Sequence, residues 1–142
     1  MANDVLLRKL LYLRKLLADL APLRTARIEE VLAEHYKIER LLELLVMAAS
    51  DLLFHLLAER GITVLSYREG FKRAAESGLL PADLAERLQD AAGMRNILVH
   101  QYEEIDYLIL HDAIQPAYHD FSQFVSLFSQ FLDSREDSED QP

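Results

Sequence analysis

The chain has no cysteine, and only four glycines and four prolines in 142 residues. Without cysteine there is no disulfide and no thiolate metal site, and the redox compartment is left open. So little glycine and proline leaves scant material for the many turns of a β-sandwich or barrel. An uninterrupted apolar run is missing as well. The most apolar segment, "LLELLVMAASDLLFHLLA", carries Glu43, Asp51 and His55, which suits a buried core helix and not a membrane span. The N-terminal "MANDVLLRKLLYLRK" interrupts its apolar residues with Arg8, Lys9, Arg14 and Lys15, against a signal peptide. A soluble cytoplasmic protein with no membrane partner is expected. Positive charge is also short, with 15 Lys and Arg against 24 Asp and Glu and a net charge of −9. That balance is wrong for a non-specific nucleic-acid binder, which works by neutralising phosphates. A local basic cleft is still allowed, since Arg68, Lys72 and Arg73 fall within a turn and a half and Arg95 lies further along.

What remains is helix-forming material. The chain is 51% hydrophobic, and Leu, Ala, Glu and Arg, its dominant residues, all favour helix. The length suits one domain burying about 70% of its unfolded surface. The expected class is all-α, an antiparallel bundle of about five helices over residues 1–132. Leu6, Leu10, Leu13, Leu17 and Leu20 make one stripe of a first helix. A second segment, residues 25–60, ends at Gly61 and is apolar on more than one side toward its C-terminal end, which places it centrally. Whether it is bent or split stays open. A third starts at the capping box "SYRE", where Ser66 and Glu69 can satisfy each other's amides, and stops near Gly78. A fourth opens with Pro81 at its first position, passes Gly93 as a weak point and ends near Tyr102. The last, residues 105–132, is expected to kink at Pro116 and carries Phe121, Phe124, Phe128 and Phe131 as a core or dimer stripe. The tail "DSREDSEDQP", residues 133–142, has no periodic apolar face and is expected to be disordered.

Few constellations carry chemistry. Asp51 with His55 and His35 with Glu39 sit four apart on a helix, but no Glu-x-x-His pair or H-E-x-x-H accompanies them, so no metal is expected. There is no G-x-S-x-G elbow, and the glycines never cluster into a phosphate loop, so no cofactor is expected either. One stretch stands apart: "GMRNILVHQY", residues 93–102. Arg95 offers a permanent, planar charge for a phosphate. His100 titrates near neutrality and can move a proton. Asn96 lies four residues before His100 and can orient its ring. Arg plus His without a metal suits RNA, which brings its own 2′-OH nucleophile. One geometric difficulty follows. Five helical residues put Arg95 and His100 about 140° apart, so either Gly93 relaxes the helix or two copies of the motif face each other.

"RNILVHQY" fits the R-x4–6-H-x-Y signature of the HEPN superfamily and resembles the HepT-type toxins paired with MntA-type nucleotidyltransferase antitoxins. The blocks "LLELLVMAASDLLFHLLAERG", "SYREGFKRAAESGLLP" and "LAERLQDAAGMRNILVHQYEEID" resemble that family in order, over residues 3–132. The resemblance implies a HEPN-like bundle that dimerises and brings two motifs to one cleft. It implies metal-independent RNA cleavage by Arg95 and His100, with Asn96 in support. It also implies that a cognate nucleotidyltransferase adds AMP to Tyr102. The rival expectation is a HEPN partner module that binds a nucleotidyltransferase or a nucleotide and cuts nothing. The net charge leans toward the rival, and the intact Arg95, His100 and Tyr102 toward the nuclease.

Overall fold

Leucine at three- and four-residue spacing needs a facing apolar surface, and one helix supplies most of it. In a computed structural model, which describes residues 2–100 and 106–139 and the side chains of 3–98 and 106–137 among them, that helix is α3 (His35–Glu59). Eleven of its residues are buried, among them Ile38, Leu41, Leu42, Leu45, Leu52, Leu53 and Leu56. Around it stand α1 (Ala2–Leu20), α2 (Ile28–Ala33), α4 (Tyr67–Glu76), α5 (Ala82–His100) and α6 (Tyr107–Glu139), with a short 3-10 turn at Ala21–Leu23. The stripe of α1 is wholly inside, as are Phe121, Phe124 and Phe128 of α6. The most apolar segment is therefore the core of the bundle, and the all-α expectation holds.

Long-range contacts set the directions. Tyr107 meets the ring of His35 at 5.2 Å, and Arg135 pairs with Glu59 at 2.8 Å, so α6 runs alongside α3 in the same sense. Arg14 donates to Ser129 at 2.7 Å and Arg24 lies 4.1 Å over the Tyr118 ring, which sets α1 antiparallel to α6. Leu79, Leu80 and Pro81, just before α5, border Leu127 and Gln130, while Arg87 reaches back to Asp120 and Gln123, both at 2.9 Å, so α5 is antiparallel to α6 too. Helix ends follow the local chemistry. Ser66 Oγ accepts from the Glu69 amide at 3.1 Å, while the Glu69 carboxylate takes the amide of Leu65, one residue earlier than a standard capping box would have it. Gly61, at φ +73°, closes α3 with its amide on Ala58 and that of Ile62 on Leu57, a Schellman ending that a side chain would strain.

The segment at 25–60, open as to bent or split, is two helices, and the described residues hold six α-helices, five of them substantial, in line with a bundle of about five. The break falls at Glu34, with φ −109° and ψ 17°. It frees α2 to lie on α6, where His111 Nε2 is 3.0 Å from the Ala26 carbonyl. Pro116 sits inside α6 without ending it. Where residues 133–142 are expected from the sequence to be disordered, α6 continues to Glu139, and within that stretch Arg135 donates to both oxygens of Glu59 at 2.9 and 2.8 Å. Helix therefore extends past residue 132, and residues 140–142 lie outside the described part.

Leu45 is fully buried at the centre of α3. Leu45→Ala should lower unfolding free energy by about 2–5 kcal/mol, the usual cost of a leucine-sized cavity, read as a drop in urea midpoint with an unchanged slope.

Candidate active site

Arg95 and Asn96 lie on the last two turns of α5, and the helix runs unbroken through Gly93 to His100. Gly93 has no positive φ, so it does not relax the helix, and the first solution to the angular problem fails. Arg95 and His100 remain about 140° apart on ideal geometry. The side chain of His100, and Tyr102 altogether, lie outside the described residues.

Arg95 is held from three sides. Its Nη2 lies 3.7 Å from Glu43 Oε1, with the two side chains only 18% and 21% exposed. Its guanidinium carbon stands 5.0 Å over the ring of Tyr67. Nη1 makes a long, 3.4 Å bond to the amide oxygen of Asn96. Nε is buried with no hydrogen-bond partner, so the ring face and the carboxylate carry the charge's stabilisation. Glu43 is itself shared with Arg40 at 3.1 Å, which leaves Arg95 a partial claim on it. The result is a rigidly placed cation that keeps capacity for another anion.

Glu43 and Tyr67 were not picked out as site residues in the sequence. Glu43 had a signal, being an acid within the apolar run Leu41–Ala49 of α3, where partial burial calls for a cation. Tyr67 had none beyond its place in the capping box. Of the i,i+4 pairs weighed for metal, His35 contacts Glu39 at 3.1 Å. His55 turns to Glu59 at 3.8 Å. Asn96 is exposed, and its oxygen faces Arg95.

Beside Arg95 opens a cleft of about 430 Å³ between α3, α5 and α6, lined by Leu42, Val46, Met94, Ile109 and Ala113 among others. Ile109, which lines the cleft, is 54% exposed, and Ile97 on α5 and Leu108 on α6 are 52% and 63% exposed. At the far end of the cleft Arg87 forks between Asp120, Gln123 and Asp83, the last at 3.2 Å. Asp120 is nearly buried, and its hydrogen bond raises Arg87 above its ordinary value. The Arg87 hydrogen bond, helped by the Leu84 amide, in turn holds the Asp83 carboxyl below the usual 3.8.

The family described as "Ribonuclease HepT-like" matches residues 10–128. The chain belongs to the HepT-like ribonuclease family. Among curated relatives, the tRNA nuclease HepT of Aphanizomenon flos-aquae is 31% identical over 104 residues, spanning 72% of this chain and 70% of that one. The mRNA nuclease HepT of Shewanella oneidensis is 34% identical over 62 residues, 44% of this chain and 47% of its own. In fold, the chain is similar to the tri-AMPylated HEPN toxin of Shewanella oneidensis solved in complex with MNT antitoxin. That match has a TM-score of 0.80 at 21% identity and covers 89% of this chain and 98% of the other. The HEPN-like bundle inferred from the ordered blocks is thus the fold observed.

Arg87→Ala should destabilise the protein by about 1–3 kcal/mol, since the nearly buried Asp120 carboxylate loses its cationic partner. Asp83's folded pKa is lowered, so its contribution is complete above its ordinary value and lost as pH falls through the lowered one. The stability gap between wild type and Arg87→Ala should therefore narrow below about pH 4, as measured by urea melts from pH 7 to 3.

Proposed function

We propose that this protein is the ribonuclease toxin of a toxin–antitoxin pair, cutting RNA without a metal and silenced when a cognate nucleotidyltransferase adds AMP to Tyr102. The observation that carries the reading is Arg95, fixed by Glu43 and Tyr67 within an intact R-x4–6-H-x-Y register, in a chain of the HepT-like ribonuclease family. The names of the relatives, nucleases of tRNA and of mRNA, support RNA as the substrate class. The reaction needs only what the residues and RNA bring. The 2′-oxygen attacks the adjacent phosphorus as its proton passes to the imidazole of His100. The bond to the 5′-oxygen breaks, and that oxygen takes a proton from water while the His100 imidazolium returns its own to solvent. Charge that grows on the non-bridging oxygens is met by the Arg95 fork. Asn96 supports the arrangement by steadying its neighbours. The products are a 2′,3′-cyclic phosphate and a 5′-hydroxyl.

The unbroken α5 favours a working unit of two chains, with Arg95 of one copy facing His100 of the other. The exposed Ile97, Leu108 and Ile109 give such a two-fold contact an apolar rim. The reading places the pair in the cytoplasm, where RNA and nucleotidyltransferase meet. Arg95→Ala and His100→Ala should each abolish cleavage and growth inhibition with the helical spectrum intact, and a chelator should change nothing. Co-expressing the two variants should restore part of the activity, because a mixed dimer holds one complete Arg–His pair. A His100→Ala protein that cuts at the wild-type rate would end this assignment. Failure of the mixture to recover any activity would end the shared site.

Tyr102 stands two residues after His100. An AMP group there adds negative charge that can pair with Arg95, and its base and ribose occupy the substrate's place. The AMP-modified toxin solved in complex with its antitoxin supports this mode of control. Co-expression with the neighbouring nucleotidyltransferase should add mass in whole AMP units mapping to Tyr102. Tyr102→Phe should take up none and escape silencing. A silenced protein of unchanged mass would mean that inhibition works by binding alone.

A further inference from the structure

We infer that Arg68 and Lys72, on the outer face of α4, form a ridge that binds the RNA backbone beyond the scissile phosphate; the inference rests on the ribonuclease reading. α4 is sharply two-sided. Gly70, Phe71 and Ala74 are buried, while Arg68 and Lys72, one turn apart, both face solvent. Their position relative to the motif is fixed by contact. Nη1 of Arg68 lies 3.8 Å from where a Cβ on Gly93 would stand, two residues before Arg95. The preceding residue, Tyr67, carries Arg95 on its ring. Arg68 therefore sits beside the turn of α5 that leads into Arg95, and Lys72 follows one turn further along α4.

Arg68 and Lys72 are two of several basic residues with no ion pair among the described residues, and the place of Arg68 against Gly93 is what singles them out. Acids outnumber bases 24 to 15, and Arg27, Arg40, Arg73, Arg87, Arg95 and Arg135 each have a carboxylate within 4 Å. The carboxylates nearest α4 in sequence or space are engaged elsewhere. Glu69 accepts from the Leu65 amide, Glu76 pairs with Arg73 at 3.5 Å, and Glu43 serves Arg40 and Arg95. Among the described residues, Arg68 and Lys72 have no ion pair. The net charge of −9 does not forbid a polyanion here, because charges beyond about 8 Å are largely screened at physiological salt. Cations at contact range then decide the matter. A pair of them beside the motif suits a ligand whose phosphates repeat along a chain, and an acidic protein surface has no such repeat.

The test compares wild type with Arg68→Glu/Lys72→Glu on a single-stranded RNA dodecamer, on a dinucleotide with one phosphodiester, and on an uncleavable 2′-O-methyl dodecamer. The fold-loss in kcat/KM should be about tenfold greater on the dodecamer than on the dinucleotide, and should appear in KM. Affinity for the 2′-O-methyl dodecamer should fall, and its salt dependence should flatten by about 1.4 in log–log slope, from two lost single-strand contacts at roughly 0.7 each. Arg68→Lys/Lys72→Arg, which keeps both charges, should retain most of the affinity. Equal losses on both cleavable substrates, or a wild-type salt slope, would overturn the ridge. So would normal RNA handling with loss of AMP addition by the nucleotidyltransferase, which would make the ridge a protein-docking surface. A wild-type protein that binds the uncleavable dodecamer and cuts nothing would refute the nuclease reading, and the affinity loss of the double variant would still support the ridge.

Discussion

Burying α3 on several sides at once is the constraint from which the rest of this structure follows. A helix with Leu42, Leu45, Leu52, Leu53 and Leu56 all inside cannot be covered by one neighbour, so α1, α4, α5 and α6 are arranged around it. That arrangement brings the end of α5 against the first half of α3. Glu43 is a carboxylate left in an otherwise apolar stretch, and its burial is tolerable only because cations reach it. The hydrophobic demand of the core thus fixes where Arg95 must be, and the electrostatic demand of Glu43 fixes how it points.

The anion site proposed for this acidic protein rests on the same packing. Six of its basic side chains, Arg95 among them, have a carboxylate within 4 Å, and the exposed pairs among these contribute little to stability. Arg95 is different because its partners are an aromatic face and a carboxylate already shared with Arg40. A guanidinium kept in place by weak and divided partners is positioned before a phosphate arrives, and little reorganisation is then required of it.

Much of this was legible in the residues. The leucine stripe of α1, the capping box before α4 and the glycine closing α3 each rest on interactions within a few residues, and local chemistry determines them. The placing of Arg95 and His100 on one helix was legible as well, because their spacing falls within a single helical run. The break at Glu34 was not, since "LAEHYK" contains neither proline nor glycine and the bend answers to α2 lying on α6. The helical continuation past Leu132 was hidden for a like reason. Within it Arg135 meets Glu59, which is 76 positions away. The cradle of Arg95 was half visible: Glu43 was a recognisable misfit in its helix, but the placement of Tyr67 exists only once α4 is folded against α5.

Helix α5 changes character along its length. Leu84, Ala85, Leu88 and Ala92 are buried, and Arg87 fastens that end to α6; Asn96 and Ile97, toward the other end, face solvent. On the proposed reading the first half of α5 serves stability and the second half chemistry, with Arg95 serving both through Glu43. Loss of the imidazole at position 100 would then end cutting and leave the packed half of the helix untouched. Enzyme and inert binding module would be close neighbours in sequence space.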